Sequence, residues 1–271
     1  MKRLSIFIVG IMVAVVAMSR TFDMKQLGAD AKGINSCTEL INRTIEKAAL
    51  EGGGTIYFPA GTYLTATIHM KSNITLYLES GAVLRFSDKF EDYLPFVTLR
   101  WEGTVMKSLS PLIYAHSADN VTISGRGTLD GNGLKWWLWE FDTRKVIKEN
   151  GGKLPALDKL QQMWVDANKD LEISDYYKPS LERRMFRPPF IQFYECTNIL
   201  IENVKIINSP FWTINPAFCD NVTIHGVTIN NPSSDPKGPN TDGINPSSCR
   251  NVRISDCLIS VGDDCITIKS C

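Results

Sequence analysis

Asn198-Ile-Leu-Ile, Asn221-Val-Thr-Ile and Asn251-Val-Arg-Ile open three stretches of one design, and Asn120-Val-Thr-Ile opens a fourth. In each, an Asn starts a short β-branched run, and a second such run follows about six residues later, at 127–129, 204–207, 227–229 and 257–259. A Cys precedes the Asn in three of the four, at Cys196, Cys219 and Cys249. The step from 198 to 221 is 23 residues; from 221 to 251 it is 30, with the excess in the Pro/Gly/Ser-rich stretch 231–239. A period of this size, with short strands and no helix between them, predicts a β-solenoid. Leucine-rich repeats share the length but need a Leu framework that is missing here. In a parallel β-helix, equivalent residues of successive coils stack about 4.8 Å apart. Cys196, Cys219, Cys249 and, by extension, Cys271 should then form an inward ladder of small apolar side chains. The seven cysteines include no CxxC pair, and the odd count argues against a disulfide framework.

Upstream, the pattern continues in simpler form. Short β-rich runs at 55–64, 66–70, 74–78 and 83–86 alternate with turns, which favours an all-β array over βαβ units. Residues 36–51 read as an amphipathic helix, with Ile41, Ile45, Ala48 and Ala49 on one face and Ser36 with Glu39 as a capping box. A solenoid exposes its core at its ends, so this helix is expected to cap the first coil. Residues 132–187 break the repeat. They are rich in charge and Trp, including Trp136, Trp137, Trp139, Trp164, Arg144, Arg183, Arg184 and Arg187, and are expected to leave one coil and wall a face of the solenoid.

With 44% apolar residues and zero formal net charge, the chain can bury a core, and nothing global points to nucleic acid. Lys2 and Arg3 followed by the apolar run 4–18 read as a secretory signal, with cleavage expected after Ser19. The run is short for a membrane span, so no stable membrane insertion is expected. The domain reading is a signal at 1–19 and a β-helix over 20–271, in a secreted or periplasmic monomer.

The coil register brings three carboxylates together. Aligned by their Cys, positions 249 and 271 are 22 residues apart, and the same offset sets Asp242 on Asp264, with Asp263 beside them. Such a cluster is costly unless it shares a proton, binds a cation or serves a reaction. Glycoside hydrolysis by paired carboxylates, a Ca²⁺ site and turn capping are the three readings this permits. In the first, at least one carboxyl should have a raised pKa.

The motifs Asn240-Thr-Asp-Gly243 and Gly262-Asp-Asp-Cys265 resemble two of the four signatures of glycoside hydrolase family 28, the polygalacturonases and their relatives. Gly52-Gly-Gly-Thr-Ile-Tyr-Phe-Pro-Ala-Gly-Thr-Tyr63, Asn208-Ser-Pro-Phe-Trp-Thr213 and the Trp136-Trp137 pair are also similar to that family. The resemblance implies a right-handed parallel β-helix that hydrolyses α-1,4-galacturonosidic bonds of pectin with inversion and no metal or other cofactor. It implies Asp263 as general acid, Asp242 and Asp264 as the groups that hold and activate water, and Asn240 as a substrate contact. The family's Gly-His-Gly and Arg-Ile-Lys signatures do not occur, and His69, His116 and His225 read as surface or turn residues. The chain is therefore expected to be an N-terminal fragment lacking its last coils, inactive alone. Asn245-Pro-Ser-Ser follows the first motif where many relatives carry Asp-Pro-Asp/Glu-Ser. A Ca²⁺-dependent pectate lyase-like enzyme and a non-catalytic carbohydrate-binding β-helix are the alternatives. Asn73, Asn120 and Asn221 match the N-glycosylation pattern, but Asn120 and Asn221 belong to the repeat, which favours a structural role.

Overall fold

The computed structural model describes residues 20–152, 158–171 and 187–270. It is a right-handed parallel β-helix. The chain begins with β1 (Thr21–Asp23) and β2 (Lys32–Ser36), then helix α1 (Thr38–Leu50). The first full coils follow: β3 (Gly54–Phe58), β4 (Gly61–Thr65), β5 (Ile68–His69), β6 (Ile74–Leu78) and β7 (Ala82–Phe86). An antiparallel hairpin, β8 (Val97–Trp101) and β9 (Thr104–Ser108), then leaves the coil. Winding resumes with β10 (Ile113–His116), β11 (Asp119–Gly125) and β12 (Thr128–Asp130). Two helices, α2 (Leu134–Glu149) and α3 (Lys159–Ala167), interrupt it. The later coils are built from β13 (Ile191–Tyr194), β14 (Thr197–Glu202), β15 (Lys205–Ile207), β16 (Asp220–His225), β17 (Thr228–Asn230), β18 (Arg250–Ser255) and β19 (Leu258–Ser260).

Three parallel sheets result. One runs β1-β3-β6-β11-β14-β16-β18, and a second runs β2-β4-β7-β12-β15-β17-β19. The third, β5-β10-β13, is continued by the bridges Ile191↔Ile214, Ile214↔Ile244 and Ile244↔Ile266. Apolar residues stack in register inside each sheet: Ile199, Val222 and Val252 in the first, and Ile206, Ile229 and Ile259 in the second. In/out alternation makes strands such as β3 and β6 one-sided, and the coil closes those faces on one another.

The Asn at the start of β6, β11, β14, β16 and β18 has a physical reason. Asn73, Asn120, Asn198, Asn221 and Asn251 all have positive φ, between 53° and 62°. Asn tolerates this left-handed conformation because its short polar side chain can bond locally. Here the amides also bond from coil to coil: Asn120 Nδ2 donates to Asn73 Oδ1 at 3.0 Å, and Asn221 Nδ2 donates to Asn198 Oδ1 at 2.6 Å. The Cys ladder is present as far as it can be followed. Cys196 and Cys219 are buried, Cys249 is half-buried, and all three are free thiols. Cys271 lies outside the described residues, as do the signal segment, Arg183 and Arg184.

Helix α1 packs Ile41, Ile45 and Ala48 into the core, as its stripe predicts. The capping box does not form. Cys37 is the N-cap residue and makes no side-chain cap, because Ser36 is still in β2, paired with Leu64. Within the segment expected to wall one face, the described residues form α2 and α3. Trp136, Trp137 and Trp164 are buried, and Trp136 packs on Phe90 and Tyr93 with centroids 4.3 and 5.5 Å away.

Candidate active site

Asp242 and Asp264 precede the third-sheet bridge pair Ile244↔Ile266 by the same two residues, so they occupy equivalent positions on consecutive coils. The backbone confirms the register: Gly243 N–H donates to Asp264 O at 2.9 Å, and Ile244 N–H donates to Cys265 O at 3.0 Å. The stacking is so close that two motif positions require glycine. A methyl group at Gly243 would lie 2.5 Å from Cys265 O, and one at Gly262 would lie 2.3 Å from Gly238 O.

The hydroxyl of Thr267 stands between the two stacked carboxylates, 3.4 Å from Asp242 Oδ2 and 3.3 Å from Asp264 Oδ2. Asn245 Nδ2 donates to Asp242 Oδ2 at 3.0 Å. Asp263 turns back on its own loop, where its Oδ1 accepts Asp264 N–H at 3.1 Å. The equivalent aspartates differ sharply in exposure: Asp242 is buried and Asp264 is exposed, as is Asp263. Burial raises the Asp242 carboxyl above its ordinary value, and the nearby Asp263 charge adds to this. The Asn245 amide and the Lys269 ammonium oppose the rise. Asp242 is thus the raised carboxyl that the cluster calls for.

Lys269 lies 4.4 Å over the Trp212 ring and 3.2 Å from Glu102 at the hairpin tip. Arg100 on β8 reaches Ser248 Oγ at 2.9 Å, so the hairpin is tied to the coils beside the carboxylates. On the other side α2 closes in. Trp137 Nε1 donates to Ser209 O at 2.9 Å, and Arg144 Nη2 donates to Asn240 Oδ1 at 3.1 Å. Asn240 itself has φ 53° and also accepts from Arg187 Nη2 at 2.8 Å.

The structure therefore gathers Asn240, Asp242, Asp263 and Asp264 at one place. Thr267 and Lys269 carry a signal of their own in the sequence: they alternate with Ile266 and Ile268, so they share the face opposite those apolar side chains. Glu140 and Arg144 are an i,i+4 pair on α2, but their link to Asn240 has no signature in the sequence. The histidines lie apart from the carboxylates. His116 faces Glu195 at 3.5 Å, His225 faces Asp256 at 3.3 Å, and His69 packs edge-on to Tyr114. Among the described residues, no three His, Cys, Asp or Glu side chains converge as a metal-binding group.

Residues 176–271 match the family model for glycosyl hydrolases family 28, and residues 21–98 match that for rhamnogalacturonase A/epimerase, pectate lyase-like proteins. A Vitis vinifera protein described as a "Probable polygalacturonase" is 32% identical over 231 residues, covering 83% of this chain and 39% of the relative. An endo-polygalacturonase of Pectobacterium carotovorum subsp. carotovorum is 27% identical, covering 89% of this chain and 56% of the relative. The crystal structure of a hyperthermoactive exopolygalacturonase from Thermotoga maritima superposes with a TM-score of 0.74 at 35% identity, over 93% of this chain and 55% of that one. The chain thus spans 39% to 56% of the length of these three relatives. The part of the chain that matches glycosyl hydrolases family 28, residues 176–271, contains all three aspartates and the coils that stack them.

Proposed function

We propose that the protein carrying this chain hydrolyses α-1,4-galacturonosidic bonds of polygalacturonate, with inversion, using carboxylates alone. One observation carries this reading: Asp242 and Asp264 stand on consecutive coils about the Thr267 hydroxyl, with burial first and the Asp263 charge second raising the Asp242 carboxyl. Asp263 is the general acid that protonates the leaving glycosidic oxygen. Asp242 and Asp264 hold and activate the water that attacks the other face of the sugar. Asn240 contacts the substrate. Lys269 and Arg144 are partly exposed cations beside the motif, suited to an anionic sugar polymer. The polygalacturonase relatives support the substrate class. The charged and apolar run at residues 1–18 supports export, and the protein acts as a secreted or periplasmic monomer.

The test is Asp263→Asn in the full-length protein, read by release of reducing ends from polygalacturonate. Loss of a positioned general acid lowers turnover by about 10²–10⁴-fold. Unchanged turnover would sink the assignment. A Ca²⁺-dependent lyase would instead lose activity to EDTA and give an unsaturated product that absorbs in the ultraviolet, and neither is expected.

A further inference from the structure

The catalytic motif is gripped from outside the coils. The Arg187 side chain is fully buried, with its Nη2 on Asn240 Oδ1 and its Nη1 on the carbonyls of Pro239 and Pro210. Its guanidinium lies 4.8 Å from the centre of the Phe211 ring, and its Nε is 3.8 Å from Glu140 Oε2. Glu140 projects from α2 and is 2% exposed. Its other oxygen takes the Nε–H of Arg144, which in turn donates to the same Asn240 oxygen. Two guanidiniums therefore donate to one amide oxygen. An amide held this way cannot exchange its oxygen and nitrogen without setting donor against donor. Among the described residues Asn240 Nδ2 makes no hydrogen bond, so the amide presents an unused donor beside Asp242.

We propose that Glu140 and Arg187 are positioning residues for Asn240, fixing its amide so that Nδ2 donates to a hydroxyl or carboxylate oxygen of the bound uronate. The proposal rests on the hydrolase reading above. A buried ion pair is a poor way merely to anchor a helix, because apolar side chains of similar volume hold as well without the desolvation cost. What apolar side chains cannot supply is a rigid fork of donors aimed at one oxygen. The clamp also joins α2 to the coil that carries Asp242, so the excursion from the solenoid becomes part of the site.

The test uses the full-length protein with oligogalacturonate, comparing Glu140→Gln, Arg187→Met and the double variant. Glu140→Gln leaves the buried Arg187 guanidinium without its carboxylate and should lower Tm most; Arg187→Met leaves Glu140 with Arg144 alone and should lower it less. The double variant removes both charges and should recover most of that loss. A merely structural role predicts that activity returns with Tm. A positioning role predicts that kcat/KM of the double variant stays down by about 10–100-fold, the scale expected when a substrate contact is misplaced by an ångström. Adding Arg187→Met to Asn240→Ala should then cause no further loss, because both changes remove the same contact. Wild-type kcat/KM in the double variant, or fully additive losses with Asn240→Ala, overturns the proposal. Should the Met variants fail to fold, Arg187→Lys keeps the charge and loses the fork. It should show the same loss at near-parental Tm, and full turnover in it overturns the proposal equally. Asp263→Asn separates the two readings: if that variant loses turnover while Arg187→Lys keeps it, only the positioning role falls.

Discussion

In the coils, Ile199, Val222 and Val252 fill one position of one sheet, whereas among the described residues α2 and α3 repeat no element of the coils. Both regions bury apolar side chains to completion; Ile224 and Trp136 are each 0% exposed. The difference is in what specifies the burial. A coil residue meets neighbours generated by translation along the solenoid axis. Trp136 meets Phe90 and Tyr93, and Arg187 meets Glu140 and Asn240, only because the chain leaves the coil and returns. Repetition builds the scaffold, and departure from repetition supplies what is particular to the site.

The largest effect expected from breaking this division is chemical. Asp263→Asn removes a group from the repeating part and should cost about 10²–10⁴-fold in turnover with Tm near the parent value. Next come the two cores. Trp136→Ala should cost about 3–5 kcal/mol and Ile224→Ala about 2–5 kcal/mol, both read by denaturant unfolding. If the excursion is packed as firmly as the coils, the two values will overlap. A near-zero cost at Trp136 would make α2 a loose decoration. The coil turns are a smaller matter. Asn221→Ala loses both an amide bond to the neighbouring coil and a side chain suited to positive φ, and should cost about 1–3 kcal/mol.

Asp242→Asn tests the smallest term. The raised carboxyl of Asp242 binds a proton more readily in the folded than in the unfolded chain. Its favourable contribution is therefore fully present below the unfolded value of 3.8 and is lost as pH rises through the folded value. At neutral pH the buried carboxylate is a burden, so Asp242→Asn should raise Tm while lowering activity. That advantage should disappear as the pH falls below 3.8. A Tm gain that does not change with pH would point to packing rather than to the charge.

Much of this molecule was legible before its structure. The repeated Asn marked the coil turns because few residues accept left-handed backbone, and five such turns do carry Asn. The Cys spacing gave the register, and the register placed Asp264 under Asp242. The helix was legible from its stripe but not at its start, since Ser36 obeys the pairing of β2 rather than its local capping preference. The hairpin β8–β9 left no clear mark, and neither did the purpose of the basic residues after 132. Among those, nothing distinguished Arg187, now at the centre of the clamp, from its neighbours.

The sequence by itself determined that two aspartates share a position on consecutive coils. A solenoid turns an offset along the chain into a displacement along an axis, so counting residues is equivalent to measuring geometry. Only the tertiary structure decided that these equivalent aspartates are unlike, with Asp242 buried and raised and Asp264 open to solvent. It alone decided, too, that a guanidinium 53 residues away holds the motif's Asn. Burial and electrostatic environment depend on what packs against a residue from the side, and no period in the chain encodes that.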